Sequence, residues 1–194
     1  MNLRPIILIA LASACVADEP KLLVNETLDH IPPKPWLTPH GMWKAADGAI
    51  WGAEKKEENH GASVRGFVEF GDAKFHYEFM FKGGVRHTLG LNQKNDHLFH
   101  IDFLRDRIII VKNAMKNLGE GKNETLLVQK VTLPENEWMP VTVAIQGDKV
   151  RVEIAGAQHE AKHKALALPK GGFNLYVQGD AIGFRKLTVA EISK

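Results

Sequence analysis

From Trp43 onward, apolar and polar residues alternate in short runs of period two, the pattern of half-buried β-strands. The runs are AIWGA (49–53), SVRGFVEF (63–70), KFHYEFMFK (74–82), HTLGLN (87–92), LFHIDFL (98–104) and RIIIVKN (107–113). TLLVQKV (125–131), MPVTVAIQ (139–146), KVRVEIA (149–155), FNLYVQ (173–178) and IGFRKLTVAEI (182–192) follow. Turn chemistry separates several of them: Gly71-Asp72, Gly83-Gly84, Gly147-Asp148, Gly171-Gly172 and Gly179-Asp180. Stretches of helical period are scarce. Short strands punctuated in this way predict an all-β, antiparallel, two-sheet sandwich. The alternation also sorts faces. Phe75, Tyr77, Phe79 and Phe81 are expected inward, with His76, Glu78, Met80 and Lys82 outward. Phe99, Ile101 and Phe103 are likewise expected inward, with His100 and Asp102 outward and behaving as surface residues.

Ahead of the strands the pattern changes. Residues 18–42 hold Pro20, Pro32, Pro33, Pro35 and Pro39, so they predict an extended lead-in segment without a regular helix, and 43–194 the sandwich domain. Residues 1–17 read as an export leader: MNLRP carries one positive charge, and IILIALASACVA is too short to span a bilayer. Two processing routes stay open. Cleavage after Ala17 would release the domain outside the cytoplasm, secreted or periplasmic. Alternatively, LASAC resembles a lipobox, and lipidation of Cys15 would anchor the protein to a membrane. Cys15 is the sole cysteine of the chain, so the mature domain contains no disulfide and must be stabilised by its core. A formal net charge of +2, with no Lys/Arg cluster, gives no basic footprint for nucleic acid. NET occurs at Asn25 and Asn123, and is an acceptor only in a eukaryotic secretory pathway.

Two short stretches suggest chemistry. HEAKH (159–163) matches the zinc-protease signature H-E-x-x-H, which needs both imidazoles on one helical face. A strand-and-turn context precedes it and LALPKGG ends it, and in an extended chain residues four apart lie about 13 Å apart. The reading is therefore a polar edge strand or loop, with no metal and no cofactor expected. HLFHIDFLRD (97–106) places an imidazole and a carboxylate, His100 and Asp102, on one strand face. If this strand and KFHYEFMFK share a concave sheet, His76, Glu78, Lys82, His100 and Asp102 line one groove, with Arg86 and His87 at its rim. Such a mixture of donors and acceptors suits a saccharide.

A family resemblance runs from Trp43 to Ile192. WKAADGAIWG, FGDAKFHYEFMFKGG, ENEWMPVTVAIQGDKVRVEIAG and GGFNLYVQGDAIGFRKLTVAEI occur in the order and spacing of the 3-keto-disaccharide hydrolase domain, also labelled glycoside-hydrolase-16-like. The closing segment resembles it most, through Gln178, Phe184, Arg185 and Leu187, with Lys186 where that family usually has Asn. The resemblance implies a concanavalin A-like jelly roll, export, and action on a glycosidic bond of an oxidised di- or oligosaccharide. Departures bear on function. Where the family usually has Gly-Tyr-Glu-x-Gln-Ile, this chain has LFHIDF, so that His100 and Asp102 replace the polar Glu and Gln. Laminarinase-type glycosidases set two catalytic carboxylates on one strand face. Asp102 alone cannot fill both roles. Three functions therefore stay open: an enzyme with Asp102 or Glu78 as base and His100 as acid, aided by His76, Lys82, Arg86 and His87 as substrate-binding groups; a non-catalytic saccharide-binding or cell-envelope module; or a structural envelope protein.

Overall fold

The computed structural model describes residues 20–93, 96–115 and 121–192, so the expected leader, Cys15 included, lies outside the described residues. Thirteen strands are present among them, and two dominate: β6 (Ala73–Gln93) and β13 (Gly172–Glu191). These pair antiparallel along almost their whole length. Both bend at the same level. Gly83 and Gly179 have φ of 86° and 85°, a left-handed conformation that glycine adopts without strain, and the ladder between the strands slips there.

The shared bend divides one ribbon into two layers. The first half of β6 and the second half of β13 form a layer with β10 (Met139–Gln146), β11 (Lys149–Ile154) and β12 (Ala157–Lys162) on the β6 side. On its β13 side lie β4 (Ala49–Ala53), β3 (Met42–Ala46) and β1 (Leu22–Glu26). The second half of β6 and the first half of β13 form the other layer. There β7 (Asp96–Leu104), β8 (Arg107–Lys112) and β9 (Glu124–Lys130) continue from β6, while β5 (Ala62–Gly66) and β2 (Leu37–His40) continue from β13. We call these the rear and front layers. The core lies between them, where Phe75 meets Phe173 edge-on at 5.3 Å and Phe79 meets Phe103 at 5.4 Å. Aromatic pairs crossing the layers in this way add to the area they bury.

Two carboxylates fasten the bends. Glu135 accepts the Gly83 N–H at 2.9 Å while Asn136 N–H donates to Phe81 O at 2.8 Å. Glu54 accepts the Gly179 N–H at 2.9 Å, and its own N–H donates to Gly179 O at 2.9 Å. Backbone groups freed where the ladder slips thereby find partners, as buried or half-buried amides must.

The lead-in expected at 18–42 is part of the sandwich. Its described residues contain no helix, as their prolines imply, but β1 pairs with β13, β2 pairs with β5, and Leu28 is buried in the core. Prolines are tolerated because β2 is an edge strand of four residues. The boundary expected at Trp43 is thus corrected: that residue sits inside β3. The HEAKH segment runs extended, with His159 and Glu160 in β12 and His163 capping the following 3-10 turn.

His87 also departs from expectation. It is fully buried, stacked on Phe103 at 5.3 Å and edge-on to Phe184 at 4.8 Å. The Tyr176 carbonyl, 3.3 Å from Nδ1, can only accept, so Nδ1 carries the proton. Nε2 then accepts from the Tyr77 hydroxyl at 2.7 Å. Burial drives the His87 pKa down to about 3, only partly offset by the bond to Tyr176, and pushes the Tyr77 phenol well above its ordinary value. His87 is a neutral core residue.

Two predictions follow from this architecture. Gly179→Ala should lose about 1–3 kcal/mol in denaturant unfolding, the usual cost of a side chain in the left-handed region. Gly71→Ala, at an exposed turn with open space around its Cα and no positive φ, should stay within about 0.5 kcal/mol of the parent. Equal losses would show that the bend imposes no special conformation. The second concerns pH. His87 has a folded pKa of about 3 against 6.5 for a free imidazole. Below 6.5 the unfolded chain therefore binds a proton that the folded chain refuses. Its contribution is complete above 6.5 and is lost as pH falls towards 3. His87→Gln should be less stable at pH 7 but should melt with a shallower acid slope across that window; parallel slopes would contradict the assignment.

Candidate functional site

The register of the front layer lays out its outer face. Asp102 on β7 stands opposite Thr88 on β6, Thr88 opposite Tyr176 on β13, and Tyr176 opposite Ser63 on β5. One row away run His100, Gly90, Asn174 and Arg65. Each strand places its apolar partners inward, so this polar lattice is the second consequence of the same alternation. Gly90 leaves a trough: a Cβ there would meet Asn174 Oδ1 at 2.1 Å, so the carboxamide lies across the position a side chain would fill. These residues, with Arg86, His60 and Asn113, line a depression of about 290 Å³.

Asp102 is the anionic centre. It faces outward as expected, yet it is not a surface residue, being only 5% exposed. The Thr88 hydroxyl donates to its Oδ1 at 2.5 Å, and Oδ2 lies 3.6 Å from both Arg86 Nη1 and His100 Nε2. Arg86 in turn covers the Tyr176 ring at 5.6 Å, and His60 meets that ring edge-on at 5.7 Å. His100 Nδ1 lies 2.8 Å from Asn113 Oδ1, an oxygen that can only accept, so Nδ1 donates. Nε2 is therefore the nitrogen free to exchange a proton beside Asp102. Neighbouring His97 bonds Asn92 Oδ1 through Nδ1 at 2.7 Å, and Asn92 donates to Asn174 Oδ1 at 3.1 Å. Partial burial and then the charge of Arg65 push the His97 pKa down, against the pull of Asp96.

Of the residues expected to form one groove, the structure brings together His100, Asp102 and Arg86. It does not bring in His76, Glu78 or Lys82. Those three sit on the first half of β6, before the bend, and face outward from the rear layer on the opposite side of the sandwich. Glu78 is bound there by Arg185 at 2.6 Å and Lys186 at 2.9 Å. Partial burial raises its pKa, but those hydrogen bonds outweigh the effect and leave it below the ordinary value. His76 pairs with Thr142, and Lys82 lies over the Trp51 ring at 5.5 Å. His87, expected at the rim, is in the core. The shared groove is thus corrected for these four residues. Among the described residues, no group of three or more His, Cys, Asp or Glu side chains is arranged to hold a metal ion.

Ser63, Arg65, Thr88, Asn113, Asn174 and Tyr176 were missed as site residues, although a signal existed. In SVRG, HTLGLN, RIIIVKN and FNLYVQ, counting from the inward Val64, Leu89, Ile110 and Leu175 puts these residues on the face opposite the core. Which strands lie side by side was not legible.

No protein-family model matches the chain, and no curated protein matches it. Solved structures do share its fold. A carbohydrate binding module, CBM66 from Bacillus subtilis, superposes with a TM-score of 0.64 at 14% identity, over 80% of this chain and 95% of that one. A beta-glucanase of Bacillus licheniformis gives 0.65 at 8% identity, over 88% and 98%. A Bacillus subtilis protein with a galectin-like fold gives 0.69 at 13%, over 90% and 97%. At such identities the likeness establishes architecture alone: the chain is a two-sheet antiparallel jelly-roll sandwich of the concanavalin A-like kind.

Proposed function

We propose that the outer face of the front layer binds a saccharide. The observation that carries this reading is the lattice around Asp102: one buried acceptor, hydroxyl and carboxamide groups, and an aromatic ring under a guanidinium, gathered in one depression. Sugar hydroxyls each need a donor and an acceptor, and such a set supplies both. The CBM66 module and the beta-glucanase, whose names concern carbohydrate, share the fold and lend support.

A second, enzymatic reading rests on the His100–Asp102 pair. Asp102 is the one carboxylate lining this depression among the described residues, so two-carboxylate hydrolysis lacks its second group. A single base suffices for a sugar bearing a ring ketone at C3, as the resemblance to 3-keto-disaccharide hydrolases implies. The ketone acidifies the C2–H; His100 Nε2 would take that proton as C1=C2 forms and the C1–O bond breaks, and the resulting imidazolium would return the proton to the departing oxygen, releasing a neutral alcohol and an unsaturated keto-sugar.

A glycan array with the purified protein tests binding, followed by titration of the best ligand. Asp102→Asn and Tyr176→Ala should weaken it about tenfold or more, the worth of a charge-assisted hydrogen bond or a ring contact. Lys82→Ala, on the rear layer, should bind as the parent does. Loss of binding in Lys82→Ala alone would place the site on the wrong face. Release of an alcohol from a 3-keto-glucoside, abolished in His100→Ala, would establish the enzymatic reading; binding without turnover would leave the module.

A further inference from the structure

We infer that the saccharide this groove takes is anionic, with a uronate carboxylate or a sulfate ester seated on Arg65. The inference rests on the saccharide reading and narrows its ligand. Arg65 lies in the middle of β5, flanked across the ladder by Leu37 and Asn174. It is half-buried, and its guanidinium makes no hydrogen bond and no ion pair with the described residues. A guanidinium is rarely left so, because partial burial removes water without supplying a counter-ion. Every other arginine with its head group on this layer has an acidic partner: Arg86 faces Asp102, Arg105 binds Glu135, and Arg107 binds Asp106.

The charges of the depression do not cancel. Arg65 and Arg86 line it, and Asp102 is the single carboxylate among its described residues. Asp102 is already engaged by Thr88, Arg86 and His100, so it cannot also neutralise Arg65. Two further donors lack partners at the same place. The Ser63 hydroxyl, 2% exposed, and Arg86 Nε are both buried and bonded to no group among the described residues. Ser63 precedes Arg65 by two positions, so both side chains leave β5 on the same face. An anion presenting two oxygens side by side matches the fork of a guanidinium, which binds carboxylate or sulfate through two parallel hydrogen bonds.

Arg65 also joins this depression to a second one of about 580 Å³, lined by Phe67, His97 and the carboxylates of Glu69 and Asp96. Phe67, two residues after Arg65 and just beyond the end of β5, is 52% exposed. An acidic sugar on Arg65 can therefore continue into a neutral neighbouring unit, whose ring stacks on Phe67 and whose hydroxyls donate to Glu69 and Asp96, which fits an oligosaccharide better than a single ring.

The test is calorimetric titration of the purified protein with paired probes. Oligomers of glucuronate, galacturonate and mannuronate are each compared with their carboxyl-reduced counterparts, and sulfated oligosaccharides with their desulfated forms. At least one acidic member should bind about tenfold tighter than its neutral partner, the scale of a charge-assisted hydrogen bond, and the difference should shrink with added salt. Which pair shows the preference separates carboxylate from sulfate. Arg65→Gln should abolish the preference while melting as the parent does, and Arg65→Lys should retain part of it. Equal affinity for acidic and neutral partners, or a preference that survives Arg65→Gln, would overturn the inference and leave the saccharide reading standing. If no probe binds, acidic or neutral, both fail.

Discussion

The pairing of β6 with β13, and the bend they share at Gly83 and Gly179, is the constraint on which the rest of the structure depends. Without the bend the two strands would run through one long sheet, and their inward aromatic residues would have no facing layer to bury against. With it, Phe75 and Phe79 on one half of the ribbon close over Phe173 and Phe103 on the other layer. The glycines supply a backbone conformation that other residues resist, and Glu135 and Glu54 take the amides that the slipped ladder releases. Outer strands then add to each layer by ordinary ladder pairing.

The same bend decides where chemistry can gather. Odd-numbered residues of β6 face the core before the bend, from Ala73 to Phe81, and again after it, from His87 to Leu91, the alternation lapsing only at the bend itself, where Val85 is exposed. The even-numbered residues, however, pass from the rear face to the front face. Glu78 and Arg86 share a parity and a strand, yet they serve opposite sides of the molecule. Glu78 is consumed by Arg185 and Lys186, whereas Arg86 joins Asp102 and Tyr176 in the front depression. The buried Asp102 carboxylate with its three partners, beside the Arg65 guanidinium, which has no hydrogen-bond or ion-pair partner among the described residues, gives that depression a defined polarity.

Much of this could be read from residues alone. The strand runs, the inward sets Phe75 to Phe81 and Phe99 to Phe103, and the extended course of HEAKH all follow from period-two alternation and turn residues. His87 was legible too: within its own run, HTLGLN, counting back in twos from Leu91 and Leu89 places it inward, and only its imidazole suggested otherwise. The lead-in was misjudged because prolines argue against helices, but they do not argue against short edge strands. What alternation cannot reveal is neighbourhood. Ser63, Thr88 and Tyr176 come from three distant segments, and only the order β7-β6-β13-β5 sets them in one row. Gly83-Gly84 signals a turn, and nothing local distinguishes a hairpin from a bend that both halves of a strand survive.

The central claim is that ligand occupies the outer face of the front layer. Mapping amide chemical-shift changes on titration with a bound oligosaccharide tests it most directly. Shifts concentrated at Thr88, Gly90, His100, Asp102, Asn174 and Tyr176, with Glu78, Thr142 and Arg185 silent, are what the structure requires. Shifts confined to the rear layer around Glu78 and Trp138 would contradict it.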